Sequence, residues 1–283
     1  MQRFYPLLFV FLWSTGFIGA KFGLPYAEPL SFLLSRYILV ILLMTAIVLA
    51  SRAPWPARRR DWLHIGVSGL MIHGLYLGGV FVAIKHGLPA GVTALVVGMQ
   101  PLLTALGAGW LLGEKVSARQ WSGLGLGLVG VGMVVSGKFG DGALGPMLIP
   151  AVVALLGITA GTLYQKRFCP TFDLRTGALI QFVPTAMATA IGVAAFENYR
   201  IEWNGQFLFA LGWLVVVLSL GAISLLNLLI RSGSAVNVAA LFYLTPPTTA
   251  LIAFFVFGEQ LSLTAALGMV IAVGGVYLVA KAK

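Results

Sequence analysis

Residues 81–135 read FVAIKHGLPAGVTALVVGMQPLLTALGAGWLLGEKVSARQWSGLGLGLVGVGMVV. The stretch holds two apolar runs, each about the length needed to cross a bilayer, joined by the short polar segment from Glu114 to Gln120. Moved forward by 145 residues, it falls on a second copy of its own pattern. Ala94 meets Ala239, Pro101 meets Pro246, and Thr104-Ala105-Leu106 meets Thr249-Ala250-Leu251. Gly113-Glu114 meets Gly258-Glu259, Ser117 meets Ser262, Gly123 meets Gly268, and Gly130-Val131 meets Gly275-Val276. The same register carries Ser14-Thr15-Gly16 onto Thr159-Ala160-Gly161 and Lys21 onto Lys166. Apolar coincidences arise by chance in such a chain. Proline, glutamate and serine coincidences in one ungapped register point to a duplication.

The composition around this core allows little but membrane residence. Of 283 residues, 59% are hydrophobic and 9% charged, against ~25% charged in an ordinary soluble domain. The mean hydropathy is +0.98. These values exclude a soluble enzyme, a disordered chain and a disulfide scaffold, and the single cysteine, Cys169, can form no internal disulfide. At about 28 residues for a span and its loop, the length provides about ten spans and no soluble domain. Apolar runs and their breaks set the spans at 5–23, 28–50, 62–84, 89–112, 119–136, 146–165, 174–196, 207–230, 233–257 and 261–280. The first reads as a retained span, not a cleaved signal.

The formal charge of +10 could suggest nucleic acid, but no basic cluster is interleaved with aromatics. Lys/Arg bookkeeping explains it better. With the N-terminus inside, thirteen Lys/Arg fall on inner segments, four (Lys21, Lys85, Lys138, Arg200) on outer ones, and Arg36 within the second span. Both termini are therefore expected in the cytoplasm. The duplication divides the chain into residues 1–136 and 146–283, five spans each. Five is odd, so the second unit enters the membrane upside down, with Glu114 inside and Glu259 outside. Inverted repeats suit alternating access to a midplane site.

Polar groups at membrane depth are costly and usually face the bundle interior. The candidates for a substrate site are Trp13, Ser14, Arg36, His73, Tyr76, Gln100, Thr159, Gln181, Tyr243 and Thr245. Arg36 could clamp a substrate carboxylate through paired hydrogen bonds, or snorkel outward to Glu28. His73 could act as a proton-sensitive gate or substrate partner, or as a neutral interhelical hydrogen bond. Trp13, Tyr76 and Tyr243 could form an aromatic box, or simply pack. Pro101, Pro246 and Pro247 break otherwise helical runs and would serve as hinges or as static kinks. No His/Asp/Glu cluster has metal-ligand spacing, so no metal or other cofactor is expected. All eight acids map to loops or span ends, which leaves facilitated export, or coupling through His73, as the energetic scheme.

Two motifs mislead. Gly125 to Gly130 matches G-x-G-x-x-G, but no strand precedes it and the segment is a span. Gly123 and Gly127, with Gly268 and Ala272 in the repeat, read better as close helix packing. Gly66-Val67-Ser68-Gly69 resembles an intramembrane serine protease motif, yet no histidine follows His86 to serve as its base.

The quoted stretch resembles the repeat of EamA-type permeases in the drug/metabolite transporter superfamily. The resemblance rests on Ala83-Ile84-Lys85, Ala90, Ala94, Pro101, Leu112-Gly113-Glu114 and the glycine-rich run after Gln120, repeated through Pro246, Phe257-Gly258-Glu259 and Gly268. Trp13-Ser14-Thr15-Gly16-Phe17 and the aromatic content resemble bacterial exporters of aromatic and other amino acids. The resemblance implies an all-α bundle of ten transmembrane helices, with a cavity lined by spans 1–4 and 6–9 and with spans 5 and 10 packed outside. The expectation is an inner-membrane exporter of amino acids, aromatic or neutral, whose only partners are its small-molecule substrate and the lipid. A monomer is the simplest state. An exporter of purines, cations or other metabolites is the alternative. A static scaffold would gain nothing from the repeat.

Overall fold

The computed structural model describes residues 4–88, 90–136, 146, 148–258 and 260–282. Arg3, Lys138, Asp141, the rest of the Gly137–Gly145 joint, Glu259 and Lys283 lie outside the described residues, as do the side chains of Phe17, Lys21, Ala90 and Phe257. Among the described residues the chain is almost wholly helical. The long helical segments are α1 (Tyr5–Gly23), α2 (Pro29–Ser51), α3 (Arg59–Lys85), α4 (Val92–Leu112), α5 (Ala118–Val135), α6 (Leu148–Phe168), α7 (Leu174–Phe196), α8 (Gly205–Ser232), α9 (Ala235–Val256) and α10 (Leu263–Ala280). All but α5 are both long and apolar enough to cross a membrane. Helix α5 has the same 18-residue length as α10, but Arg119, Gln120 and five glycines dilute its hydropathy.

Local chemistry fixes the helix ends. Pro6 and Pro29 start α1 and α2, where a missing N–H is harmless. Ser117 and Gln120 form a capping box on α5, and Ser262, Asn204, Ser234 and Asp173 cap α10, α8, α9 and α7. Two caps arrive from elsewhere in the chain. The Glu197 carboxylate accepts from the Leu30 and Ser31 N–H groups at 2.8 Å and the Ser31 hydroxyl at 2.7 Å. Glu114 accepts from the Ala235 N–H at 3.0 and 3.1 Å, tying the end of α4 to the start of α9. Each puts negative charge on a helix N-terminus.

The 145-residue register recurs in the backbone. Helix α5 and helix α10 share it at both ends, as do α2 and α7. Gly113 and Gly258 both leave their helices in the left-handed region, at φ 68° and 65°. Two π-helical segments also match, Leu70–Leu77 within α3 and Leu214–Ala222 within α8. Apolar run length alone predicts unbroken α-helix at both places, and the π-helical winding is a finding of the structure. Helix α4 breaks at Gly98-Met99 before Pro101, and α9 passes through a 3-10 turn, Leu241–Leu244, before Pro246 and Pro247.

Helices α5 and α10 pack against each other more extensively than any other pair. A Cβ on Gly130 would lie 2.4 Å from the Ala272 nitrogen, and one on Gly275 would lie 2.5 Å from the Gly127 nitrogen. The backbones touch, as small residues at the seam permit. The main core gathers α1, α2, α3, α6, α7, α8 and the first part of α9. The α5–α10 pair borders a second cluster that includes Tyr243.

Candidate functional site

Two spaces border the central rings, and a further apolar recess of about 540 Å³ is lined by α1, α8 and α9. The larger cavity of the two lies among α1, α2, α3 and α8. Its walls are Trp13, Gly16, Ala20, Arg36, Ile72, Tyr76, Leu77, Val80, Phe81, Leu214, Leu218 and Ile223. It spans about 500 Å³, part of it open to the outside, and is narrow throughout. Anything larger than a few waters requires the helices to part.

Arg36 governs its electrostatics. It stands eight residues into α2, roughly 10 Å along the axis, and is 3% exposed. Its Nε donates to the Ser219 hydroxyl at 3.0 Å. It does not snorkel to Glu28: among the described residues the one ion pair is Arg175–Asp173. Ser219 lies inside the π-helical segment of α8, so that segment presents the hydroxyl that orients the guanidinium.

Beside the guanidinium is a layer of rings. Trp13 stacks on Tyr76 with centroids 6.2 Å apart and planes at 11°. Phe242 meets the Trp13 edge at 5.3 Å, and Phe9 braces both at 5.2 and 5.4 Å. Phe242 also lines a second, smaller void, with Gln100, Thr162, Lys166, Ile230, Ala235, Val238 and Ala239. Trp13 lines the first space and Phe242 the second, and the two rings touch. The expected box of Trp13, Tyr76 and Tyr243 does not form. Tyr243 packs over Gly127 in the other cluster, and its neighbour Phe242 takes the place beside Trp13. The 3-10 turn ahead of Pro246 shifts which residue faces inward.

The other predicted residues scatter. Ser14 donates to the Val10 carbonyl of its own helix at 2.7 Å, with the Thr245 carbonyl also within reach at 3.3 Å, and Thr249 donates to the Ser14 carbonyl at 3.3 Å, so these groups serve α1 and its contact with α9 and do not line the larger cavity. Thr159 returns its hydroxyl to Leu155 on its own helix. Gln100 borders the smaller void. His73 stacks on Phe182 at 4.3 Å, and neither ring nitrogen has a hydrogen-bond partner; Tyr37 instead holds the His73 carbonyl at 2.7 Å. Gln181 belongs to a buried chain: its Nε2 donates to Ser68 and to Gln165 Oε1, and Gln165 Nε2 donates to Asn227 Oδ1. Pro101 is buried at the start of the second part of α4. Of the ten candidates, then, Trp13, Arg36 and Tyr76 share the larger cavity. Sequence reasoning missed Ser219, Phe242, Gln165 and Asn227. A lone hydroxyl in LVVVLSLGA and a lone amide in ISLLNLLI were the available signals.

The sequence profile of the EamA-like transporter family matches residues 4–136 and again 145–281. The chain belongs to the EamA-like transporter family. It is a multi-pass membrane protein of a transporter family, not an enzyme. It is 26% identical over 273 residues to "Uncharacterized inner membrane transporter YedA" of Escherichia coli K12, covering 96% of this chain and 88% of that protein. It is also 26% identical over 285 residues to "Probable amino-acid metabolite efflux pump" of the same strain, covering 96% and 92%. A solved crystal structure superposes with TM-score 0.75 at 22% identity, over 97% of this chain and 94% of the other, and shows that the fold is shared.

Proposed function

We propose that this EamA-like chain exports small organic solutes, foremost amino acids and their metabolites, across the inner membrane by alternating access. The observation that carries the reading is the larger cavity: α1, α2 and α3 come from the first half, α8 from the second, and a buried cation projects between them. Residues 1–136 and 146–283 act as two five-helix units of opposite insertion that rock about this junction. The matched boundaries, glycine caps and π-helical segments support that reading. Pro101, Pro246 and Pro247 supply the hinges, and Trp13, Tyr76 and Phe242 the barrier that opens. Both termini face the cytoplasm. The efflux-pump relative favours amino-acid metabolites over unrelated solutes. Organic cations fit poorly, because no carboxylate among the described residues lines the cavity.

Proteoliposomes loaded with a panel of labelled amino acids and derivatives test it. Saturable efflux above empty vesicles, reduced by Trp13→Ala, is expected; no flux of any solute would refute transport. Reporter tags after Glu114 and after Glu259 should map to opposite faces. An imposed pH gradient that drives uphill accumulation would refute facilitated export and direct attention to His73.

A further inference from the structure

The larger cavity carries one fixed charge, and among the described residues no carboxylate lines it to cancel that charge. Resting on the transport reading above, we propose that among amino acids and their metabolites the preferred solute is a net anion: a small organic carboxylate with an apolar or aromatic body, taken ahead of the zwitterionic amino acid of the same shape. The observations converge on Arg36. Its side chain is almost fully buried and lines the cavity. Among the described residues its one hydrogen bond goes to the neutral Ser219 hydroxyl through Nε, and its terminal amino groups meet no acceptor there. An unpaired charge in a membrane interior is costly, and a bidentate carboxylate is the partner that a guanidinium geometry favours.

The described carboxylates are engaged or placed elsewhere. Glu114 and Glu197 cap helix N-termini, and Asp173 pairs with Arg175. Glu28 and Asp61 lie at the starts of α2 and α3, and Glu202 in the segment before α8. None lines the cavity. A substrate ammonium would therefore lose its water, find no counter-charge, and approach the guanidinium. Aromatic faces could hold an ammonium in other settings, but here Trp13 and Tyr76 turn one face each to the other and share their cavity with the guanidinium, which repels a second cation. The rest of the wall is apolar: Leu77, Val80, Phe81 and Leu218 suit a hydrocarbon or ring body, with no group to reward a second charge. The cavity thus distinguishes an amino acid from its deaminated or N-acylated relative by charge, not by shape.

The test uses the full-length protein with four probes that share a phenyl body: phenylalanine, N-acetylphenylalanine, 3-phenyllactate and phenethylamine. Binding in detergent by thermal shift and counterflow in proteoliposomes are measured at pH 7.5, against protein-free vesicles. The two anions are expected to bind and move at least about tenfold better than phenylalanine, with phenethylamine weakest. Arg36→Gln should erase the preference among probes, and Arg36→Lys should keep its sign with lower affinity, because the charge stays and the fork is lost. The ranking within the native protein is sufficient by itself if Arg36→Gln does not fold. Phenylalanine equal to or better than the anions, or a ranking unchanged in Arg36→Gln, would overturn the proposal while leaving transport intact. Anion-selective binding without flux would uphold the charge preference and overturn transport. An absence of binding by every probe would overturn the proposal.

Discussion

Replacing Gly130 by alanine adds one methyl group to the α5–α10 seam. That carbon would sit 2.4 Å from the Ala272 nitrogen and 2.6 Å from the Gly268 oxygen. Both obstacles are backbone, so no rotamer change can relieve them. Restoring ordinary contact, which begins near 3.4 Å, means separating the helices by about 1 Å. A gap of that size forfeits roughly a quarter to a half of the dispersion energy of each contact it opens. Overpacking of this kind costs about 1–3 kcal/mol, and the length of the seam places this case near the upper end. The same helix supplies its own control. A Cβ on Gly125 or Gly132 meets nothing within 4 Å, so alanine there should be neutral or stabilise by about 0.4–1 kcal/mol through the unfolded chain. The assay is thermal unfolding of the three variants in one detergent, followed by circular dichroism. The expected order is Gly125→Ala and Gly132→Ala at or above the native protein, with Gly130→Ala clearly below. If Gly130→Ala melts with Gly125→Ala, the backbone-to-backbone seam is wrong.

Three further outcomes follow from the packing. Gln165→Leu leaves Asn227 Oδ1 without its donor and removes the acceptor of Gln181 Nε2, and should cost about 1–3 kcal/mol per stranded group; an unchanged melting curve would mean that the amide chain is not formed. Glu197→Ala removes the carboxylate that caps α2 from the end of α7 and should cost about 1–2 kcal/mol, read by the same melt, with Glu197→Gln losing less. Burial pushes the Cys169 thiol up to about 12, against a smaller lowering by the Ser68 hydroxyl. The thiol therefore stays protonated in the folded protein, and maleimide labelling should be slow at pH 7.5, rise with pH without a plateau below about pH 9, and become fast in denaturing detergent; equal rates in both states would refute the burial.

Much of the architecture was legible because bilayer thickness converts directly into run length, and because Pro101/Pro246, Glu114/Glu259 and Ser117/Ser262 are costly enough in a span or joint to register as a repeat. The site was less legible. Gln165 precedes Lys166-Arg167 and so read as a span end, yet it is buried and central to the amide chain. The π-helical stretch LMIHGLYL has nothing in its composition to distinguish it from α-helix. Adjacent helical residues point about 100° apart, so choosing between Phe242 and Tyr243 required the backbone rotation, and the 3-10 turn before the paired prolines altered it. Arg36 was found as the lone cation inside a span, but its partner Ser219 depended on how α8 winds.

Phe9, Trp13, Tyr76 and Phe242 also bear on how the bilayer keeps its insulation. A continuous file of water through a bundle of this kind would conduct protons and drain the membrane potential. Where rings meet edge to face, as Phe242 does with Trp13 and Phe9, there is little surface for such a file to wet, and narrow apolar constrictions empty themselves. On the transport reading proposed above, a cell could hold many copies at rest without a leak current, the seal breaking only for a passing solute.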